Sequence, residues 1–128
     1  MGDRNTIVIH EPDAYNVETN PLYLYSHWMG QHLDQVVCDA LRKGRTNDPA
    51  YFTRIVFSTM VQDDIHGTTS FGIAQTPQDH DSYNHMIHVK WHGDWGSEIY
   101  LVRDGKTYSK EGFLLAFDKT PKEETANL

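Results

Sequence analysis

Two segments of the chain carry apolar residues at the three- and four-residue spacing of an amphipathic helix. The first helix is predicted to start near Gln31 and to end before Gly44, a residue type favoured just after helix ends. The second is predicted to start at Asp48 and Pro49, which suit the first positions of a helix. Because only residues 44–47 separate the helices, we expect them to pack side by side. Their apolar stripes are Leu33, Val36, Val37, Ala40 and Leu41, and then Phe52, Ile55, Val56, Thr59 and Met60.

The other apolar residues lie in short runs, several of which alternate with polar residues as β-strands do. Asp104 and Gly105 form a dipeptide typical of a two-residue hairpin turn, and Ser109 suits the cap of a short helix. The predicted fold class is α+β, with a small, mainly antiparallel sheet, two amphipathic helices packed on one face and a short C-terminal helix. The predicted strands are residues 6–10, 22–27, 71–74, 85–92, 98–103 and 106–108.

The bulk composition fits one globular domain. The chain has 128 residues, of which 38% are hydrophobic, and we expect a single α+β domain over residues 1–118 and a mobile polar tail over residues 119–128. The formal net charge of −7 disfavours DNA binding, which needs a basic face. Cys38 is the single cysteine, so no disulfide forms within the chain. No apolar run approaches the roughly 20 residues of a membrane span, so we expect no membrane partner.

The segment from residue 22 to residue 30 combines a strand, a polar corner and the start of a helix. Free N–H groups at the helix start can bind an anion, with Ser26 and His27 as further donors and an aromatic side chain stacked on a base. In the alternative interpretation, Ser26 or His27 satisfies the helix end and Trp28 fills the core. The sequence leaves both interpretations open. The binding candidates of this corner are Tyr23, Tyr25, Ser26, His27, Trp28 and Gly30.

The chain contains eight histidines, a high number for its length, so metal binding is one possible function. Carboxylates in the loop before residue 85, beside imidazoles on the strand at residues 85–92, suit a mixed nitrogen and oxygen site. The alternative is a solvated loop beside an exposed strand face, and no H-E-x-x-H or C-x-x-C motif is present. Neither a metal nor a cofactor is therefore assigned. The candidate ligands are Asp79, His80, Asp81 and His85, near His88; further binding candidates on that strand are His88, Lys90 and His92, on the same side as Met86.

No complete catalytic motif is present in the sequence. Ser26 and His27 are neighbours on a strand, so their side chains point to opposite faces and cannot act together as nucleophile and base. The chain has no Gly-x-Ser-x-Gly elbow, and residues 67–72 lack the lysine of a phosphate-binding loop. Acid–base chemistry by His27 with Asp63 or Asp64 stays open. The sequence assigns no catalytic residue and favours a protein without enzymatic activity.

Three segments carry a recognisable combination of motifs: a Tyr-Ser-His-Trp-x-Gly corner within residues 22–30, an Asp-Pro-x-Tyr helix start within residues 48–55, and a Thr-Gly-Phe-Gly-Ile-like strand within residues 67–73. Together they resemble a family of small tailed-bacteriophage proteins of unassigned function. In that family the corner resembles Tyr-Ser-His-Trp-Gly, so this chain departs from the family pattern by Met29, inserted before Gly30, and by the serine before Phe71. The resemblance, over residues 20–105, implies a phage origin and action in the host bacterial cytoplasm. It brings no activity from which a catalytic residue could be carried over.

Two functional hypotheses follow. The first is a phage accessory protein that binds a host or defence-system component without catalysis, through the corner at residues 23–28 and the strand face at residues 86–92. The second is a small-ligand protein, either a nucleotide sponge or a metal-assisted phosphoesterase that uses the histidine-rich surface. A homodimer formed by an exposed edge strand is open under both. The strands considered for that contact carry Phe71, Trp91 and Trp95.

Overall fold

The computed structural model describes residues 4–12, 20–77, 86–93 and 98–120. The strands in these residues are β1 (Asn5–His10), β2 (Leu22–Ser26), β3 (Phe71–Ala74), β4 (Ile87–His92), β5 (Glu98–Arg103) and β6 (Lys106–Ser109). The helices are α1 (Leu33–Lys43), α2 (Pro49–Val61) and α3 (Lys110–Phe117).

The six strands form one sheet in the order β3-β2-β1-β4-β5-β6. The two central strands, β1 and β4, run parallel, and every other neighbouring pair is antiparallel. The helices α1 and α2 follow β2 and lead into β3, and α1 also packs against α3. The predicted α+β class, with its mostly antiparallel sheet and its short C-terminal helix, is confirmed.

Helix α1 lies at the centre of the core because its predicted apolar stripe is buried along its whole length. On the sheet, alternate apolar residues of the strands form the opposite wall of the same core. The buried residues of α1 are Leu33, Val36, Val37, Cys38, Ala40 and Leu41. Those of the sheet wall are Ile7, Ile9, Leu24, Ile87, Val89, Trp91, Ile99 and Leu101.

Trp91 differs from the expectation that it lies on an incompletely covered strand. Its ring is buried and meets Phe52 of α2 edge to face, with 6.2 Å between ring centroids. Its indole Nε1 donates to the carbonyl oxygen of Thr46 at 2.7 Å, which ties β4 to the link between α1 and α2. Trp91 is therefore a core residue and offers no surface to a second copy, and Trp95 lies outside the described residues.

The predicted helix ends and turns match the backbone. Gly44 follows α1 with a φ of 97°, a conformation that glycine adopts without strain. Asp104 and Gly105 both have positive φ, as a type I′ turn requires. The Ser109 hydroxyl accepts a hydrogen bond from the Gly112 N–H at 3.0 Å and caps α3.

The first helix begins differently from the prediction. A 3₁₀ turn, Gly30–His32, precedes α1, and the α-helix proper starts at Leu33 rather than near Gln31. The cause is the tight exit from β2, where the His32 N–H donates to the Met29 carbonyl oxygen at 2.8 Å, three residues back.

The first residues of the predicted tail are attached to α1. At the start of the predicted tail, the Lys119 N–H donates to Gln35 Oε1 of α1 at 2.7 Å, while residues 121–128 lie outside the described residues.

None of the helices in the described ranges has the length and apolar character needed to cross a bilayer.

Candidate functional site

The predicted binding residues lie on two separate surfaces of the molecule. Cross-strand register places Tyr23 of β2 beside Val8, and Val8 beside His88 of β4, so the predicted residues Tyr23 and His88 share the sheet face opposite the helices. Trp28 instead lies on the helix side, where β2 leads into α1. The members of the first surface, the His88 face, are His10, Tyr23, Tyr25, His88, Lys90 and His92.

Ser26 has a structural role at the corner. Its side chain is fully buried, and its hydroxyl oxygen accepts the Met29 N–H at 2.9 Å. The hydroxyl therefore satisfies a backbone N–H group just before Gly30. This agrees with the interpretation that Ser26 or His27 satisfies the start of the helix. Trp28 does not fill the core, because 57% of its surface is exposed.

His27 contacts the residue that precedes β1, strand β2 and the segment before β3. Its backbone N–H donates to the Ser70 carbonyl oxygen at 2.8 Å. Its Nδ1 atom lies 3.3 Å from the Tyr25 hydroxyl and accepts a hydrogen bond from Arg4 Nε at 3.4 Å. The imidazole meets the Trp28 indole edge to face, with 4.3 Å between ring centroids. His27 therefore positions Trp28 at the surface.

The start of α1 is poorly arranged for an anion. The N–H groups of Met29 and His32 already have partners within the corner. The first turn of α1 carries Asp34, whose carboxylate accepts from Arg103 Nε at 2.7 Å. A carboxylate at this position already complements the positive end of the helix dipole and repels a second anion.

Trp28 stands at the edge of a groove of about 340 Å³ between the corner, α1 and the end of α2. We call it the Trp28 groove. Residues from three distant parts of the chain form it, and most of its lining is apolar. Its apolar members are Trp28, Met29, Val36, Met60 and Phe71, and its acidic members are Asp39, Asp63 and Asp64.

The acidic residues of the groove differ in their partners. Asp39 pairs with Arg42 and also accepts from Gln35. Asp63 and Asp64 are exposed, and among the described ranges neither carboxylate has an ion-pair partner. Asp64 folds back over Gly67, where an added Cβ would lie 2.3 Å from Asp64 Oδ1. Glycine at this position therefore lets the carboxylate stay at the groove.

The structure does not bring His27 into the Trp28 groove with Asp63 and Asp64. The histidine that lines the groove is His32, from the 3₁₀ turn. The acid–base combination that the sequence left open would therefore have to use His32 in place of His27.

On the His88 face, two imidazoles are hydrogen bonded: His10 Nε2 and His88 Nδ1 are 2.8 Å apart. Burial lowers the pKa of His88 below its ordinary value of 6.5, and His10 and Lys90 lower it further by charge repulsion. His92, at the end of β4, stacks at a tilt on Tyr100, with centroids 5.2 Å apart. Met86 was expected on this exposed face but is buried.

The candidate metal ligands Asp79, His80, Asp81 and His85, to which the sequence assigned no metal, lie outside the described residues. Within the residues that are described, no three His, Cys, Asp or Glu side chains come close enough together to hold a metal ion.

Sequence reasoning did not identify His10, His32, Met60 or Phe71 as members of these surfaces. His10 is the last residue of the apolar strand β1. Its place in the alternation of that strand puts it on the face away from the core, and this is the one local signal of its location. Met60 and Phe71 are core-type residues whose positions at the groove depend on how α2 and β3 meet the corner.

The comparisons with known proteins add no relative. No protein-family model matches the chain, and the searches of curated proteins and of solved structures returned no significant match.

Proposed function

We propose that this protein is a non-enzymatic phage accessory protein that binds a host or defence-system protein in the bacterial cytoplasm through the Trp28 groove. The phage setting rests on the resemblance of three sequence segments. The binding role is supported by one observation above all: a large aromatic side chain, 57% exposed, stands at the edge of an apolar groove. Exposed tryptophan beside an apolar cleft is typical of residues that dominate the energy of protein interfaces.

The Trp28 ring has one contact within the corner that supports it before any partner arrives. The His27 imidazole lies against it, and the His27 backbone is bonded to Ser70, next to the groove residue Phe71. A side chain that is already ordered loses less conformational entropy on binding, so the same contact yields a higher affinity.

A photo-crosslinking experiment tests this proposal. The substitution Trp28→p-benzoylphenylalanine places the probe at the groove, and Tyr51→p-benzoylphenylalanine places it at a matched exposed aromatic position on α2, outside the groove. We expect a bacterial protein to crosslink in cells from position 28 and not from position 51. Identical adducts from both positions, or none from position 28, would contradict the proposal.

A small-ligand function is the second candidate, because the groove volume of about 340 Å³ lies at the lower end of the range of small-molecule sites. Asp63 and Asp64 disfavour a phosphate there by charge repulsion. A thermal-shift panel of cyclic nucleotides and divalent ions, at millimolar concentration, separates the candidates. A rise in Tm with one of these compounds would support the small-ligand function, because a ligand that binds the folded state stabilises it. An unchanged Tm with every compound would exclude the small-ligand function and keep the protein-binding function.

A further inference from the structure

The outer edge of β3 is a place where another strand can add to the sheet. β3 is the last strand on its side, and in the part of the chain that the structure describes it pairs only with β2. Its sequence, Phe71-Gly72-Ile73-Ala74, carries no charge and no proline. Natural sheets usually protect an edge strand with charged residues or proline, because an unprotected edge offers unpaired N–H and C=O groups to any extended chain.

The opposite edge of the sheet is protected in the ordinary way. β6 starts with Lys106 and continues directly into α3, which packs back on it through Phe113 and Phe117 against Tyr108. The contrast between the two edges indicates that the open character of β3 is specific to that side of the molecule.

The β3 edge is continuous with the Trp28 groove. Phe71 belongs to both, and Ile73 lies two residues further along the same face, with 55% of its surface exposed. A strand added beside β3 would place every second side chain next to Phe71 and Ile73. On the other face, Gly72 has no side chain, and no atom lies within 4 Å of an added Cβ, so the space beside it is open.

The charge at the groove selects among possible strands. The Asp63 and Asp64 carboxylates lack ion-pair partners within the described ranges, and the whole chain carries a net charge of −7. A cationic side chain next to the apolar anchor gains Coulomb energy there, whereas an acidic segment is repelled. A second copy of this acidic chain is disfavoured for the same reason.

We propose that the partner supplies an extended segment that pairs with the outer edge of β3, inserts an apolar side chain into the Trp28 groove and carries Lys or Arg beside it. This proposal rests on the protein-binding function above and specifies its partner. Backbone pairing provides affinity in such complexes, and the groove and its carboxylates provide specificity.

The test uses a displayed library of random peptides, each about 12 residues long, selected on the intact protein. A peptide of this length exceeds the usual strand length of about 5 residues. We expect the enriched peptides to alternate apolar with other residues and to carry Lys or Arg. Enrichment of acidic peptides, of apolar residues at helical spacing, or of no peptide at all would overturn the proposal.

The backbone contact is tested on the best peptide by methylating its amide nitrogens one at a time. In a paired strand, only alternate N–H groups point toward the neighbouring strand. We therefore expect a loss of affinity of about tenfold or more at every second position and little change between them. A flat profile would overturn strand addition, and the groove-binding function would still stand if Trp28→Ala abolished binding of the same peptide.

Two matched variants of the protein complete the test. Ile73→Lys places a charge on the β3 edge, and Leu115→Lys places the same charge at an exposed position on α3, outside both the β3 edge and the Trp28 groove; the two residues are 55% and 82% exposed. We expect the first to weaken peptide binding about tenfold or more and the second to preserve it, because only the first protects the edge. Equal effects of the two variants would overturn the proposal, as would a stable dimer in sedimentation that Ile73→Lys dissociates.

Discussion

His10 Nε2 and His88 Nδ1 lie 2.8 Å apart and join the parallel strands β1 and β4 through their side chains. Because the pKa of His88 is lowered in the folded protein, the unfolded chain takes up a proton first as the pH falls through about 6.5. The folded state therefore loses stability over the pH range from that value down to the lowered pKa.

Replacing His88 should remove this pH dependence. We expect His88→Gln to show a smaller loss in the free energy of unfolding between about pH 7 and pH 5 than the parent chain, measured by urea denaturation at each pH. His66→Gln, at an exposed loop position, is the control and should keep the parent's dependence. A His88→Gln curve that parallels the parent curve would contradict this assignment.

The ion pair between Asp34 of α1 and Arg103 of β5 should contribute to stability, because both side chains are about four-fifths buried. We expect Asp34→Asn to lower the free energy of unfolding by about 1–2 kcal/mol. Asp63→Asn removes the same charge from an exposed position at which the described residues place no ion-pair partner, and it should change stability by less than about 0.5 kcal/mol. Equal changes in the two variants would show that the pair contributes nothing specific.

Cys38 should be inert in the folded protein. It is buried in α1, and burial, together with the nearby carboxylates of Asp118 and Asp34, raises the pKa of its thiol to about 12. Because the thiolate is the reactive form, a thiol reagent such as Ellman's reagent should label Cys38 at the rate at which the protein unfolds. Rapid stoichiometric labelling under native conditions would contradict the burial of α1.

Ser26 should affect stability and leave partner binding unchanged. Its hydroxyl is the acceptor for the Met29 N–H inside the corner, so Ser26→Ala should cost about 1 kcal/mol in the free energy of unfolding. Ser58→Ala, at an exposed position on α2, should cost much less. If Ser26→Ala instead abolished binding of the selected peptides at unchanged stability, Ser26 would be a contact residue.

The fold could be predicted from local sequence because its elements carry local signals. The apolar stripe of α1, the glycine at position 44 and the Asp104–Gly105 turn each specify their structure within a few residues. The parallel pairing of β1 with β4 has no such signal, because it joins residues about 80 positions apart, such as Ile7 and Ile87.

The candidate site was only partly predictable for the same reason. Trp28 stood out in the sequence as part of an aromatic corner, but the groove beside it also needs Met60 and Asp63 from the end of α2 and Phe71 from β3. Likewise, His88 was a candidate on its own strand, whereas its partner His10 lies 78 residues away. Local patterns cannot supply contacts of this kind, since they depend on tertiary packing.

The Trp28 groove combines an apolar contact with acidic side chains, and its charge can be tested separately from its apolar contact. We expect Asp63→Asn to weaken binding of a basic selected peptide, with an effect that shrinks at high salt. Glu111→Gln makes the same charge change on α3, outside the groove, and should have little effect. Similar losses in both variants would indicate a general charge effect.

The most direct measurement is the dissociation constant of the captured protein for three chains: the parent, Trp28→Ala and Tyr51→Ala. Both substitutions remove an exposed aromatic ring, and only the first removes it from the groove. The account predicts that Trp28→Ala raises Kd by about tenfold or more while Tyr51→Ala leaves it near the parent value. Equal Kd values for all three chains would contradict it.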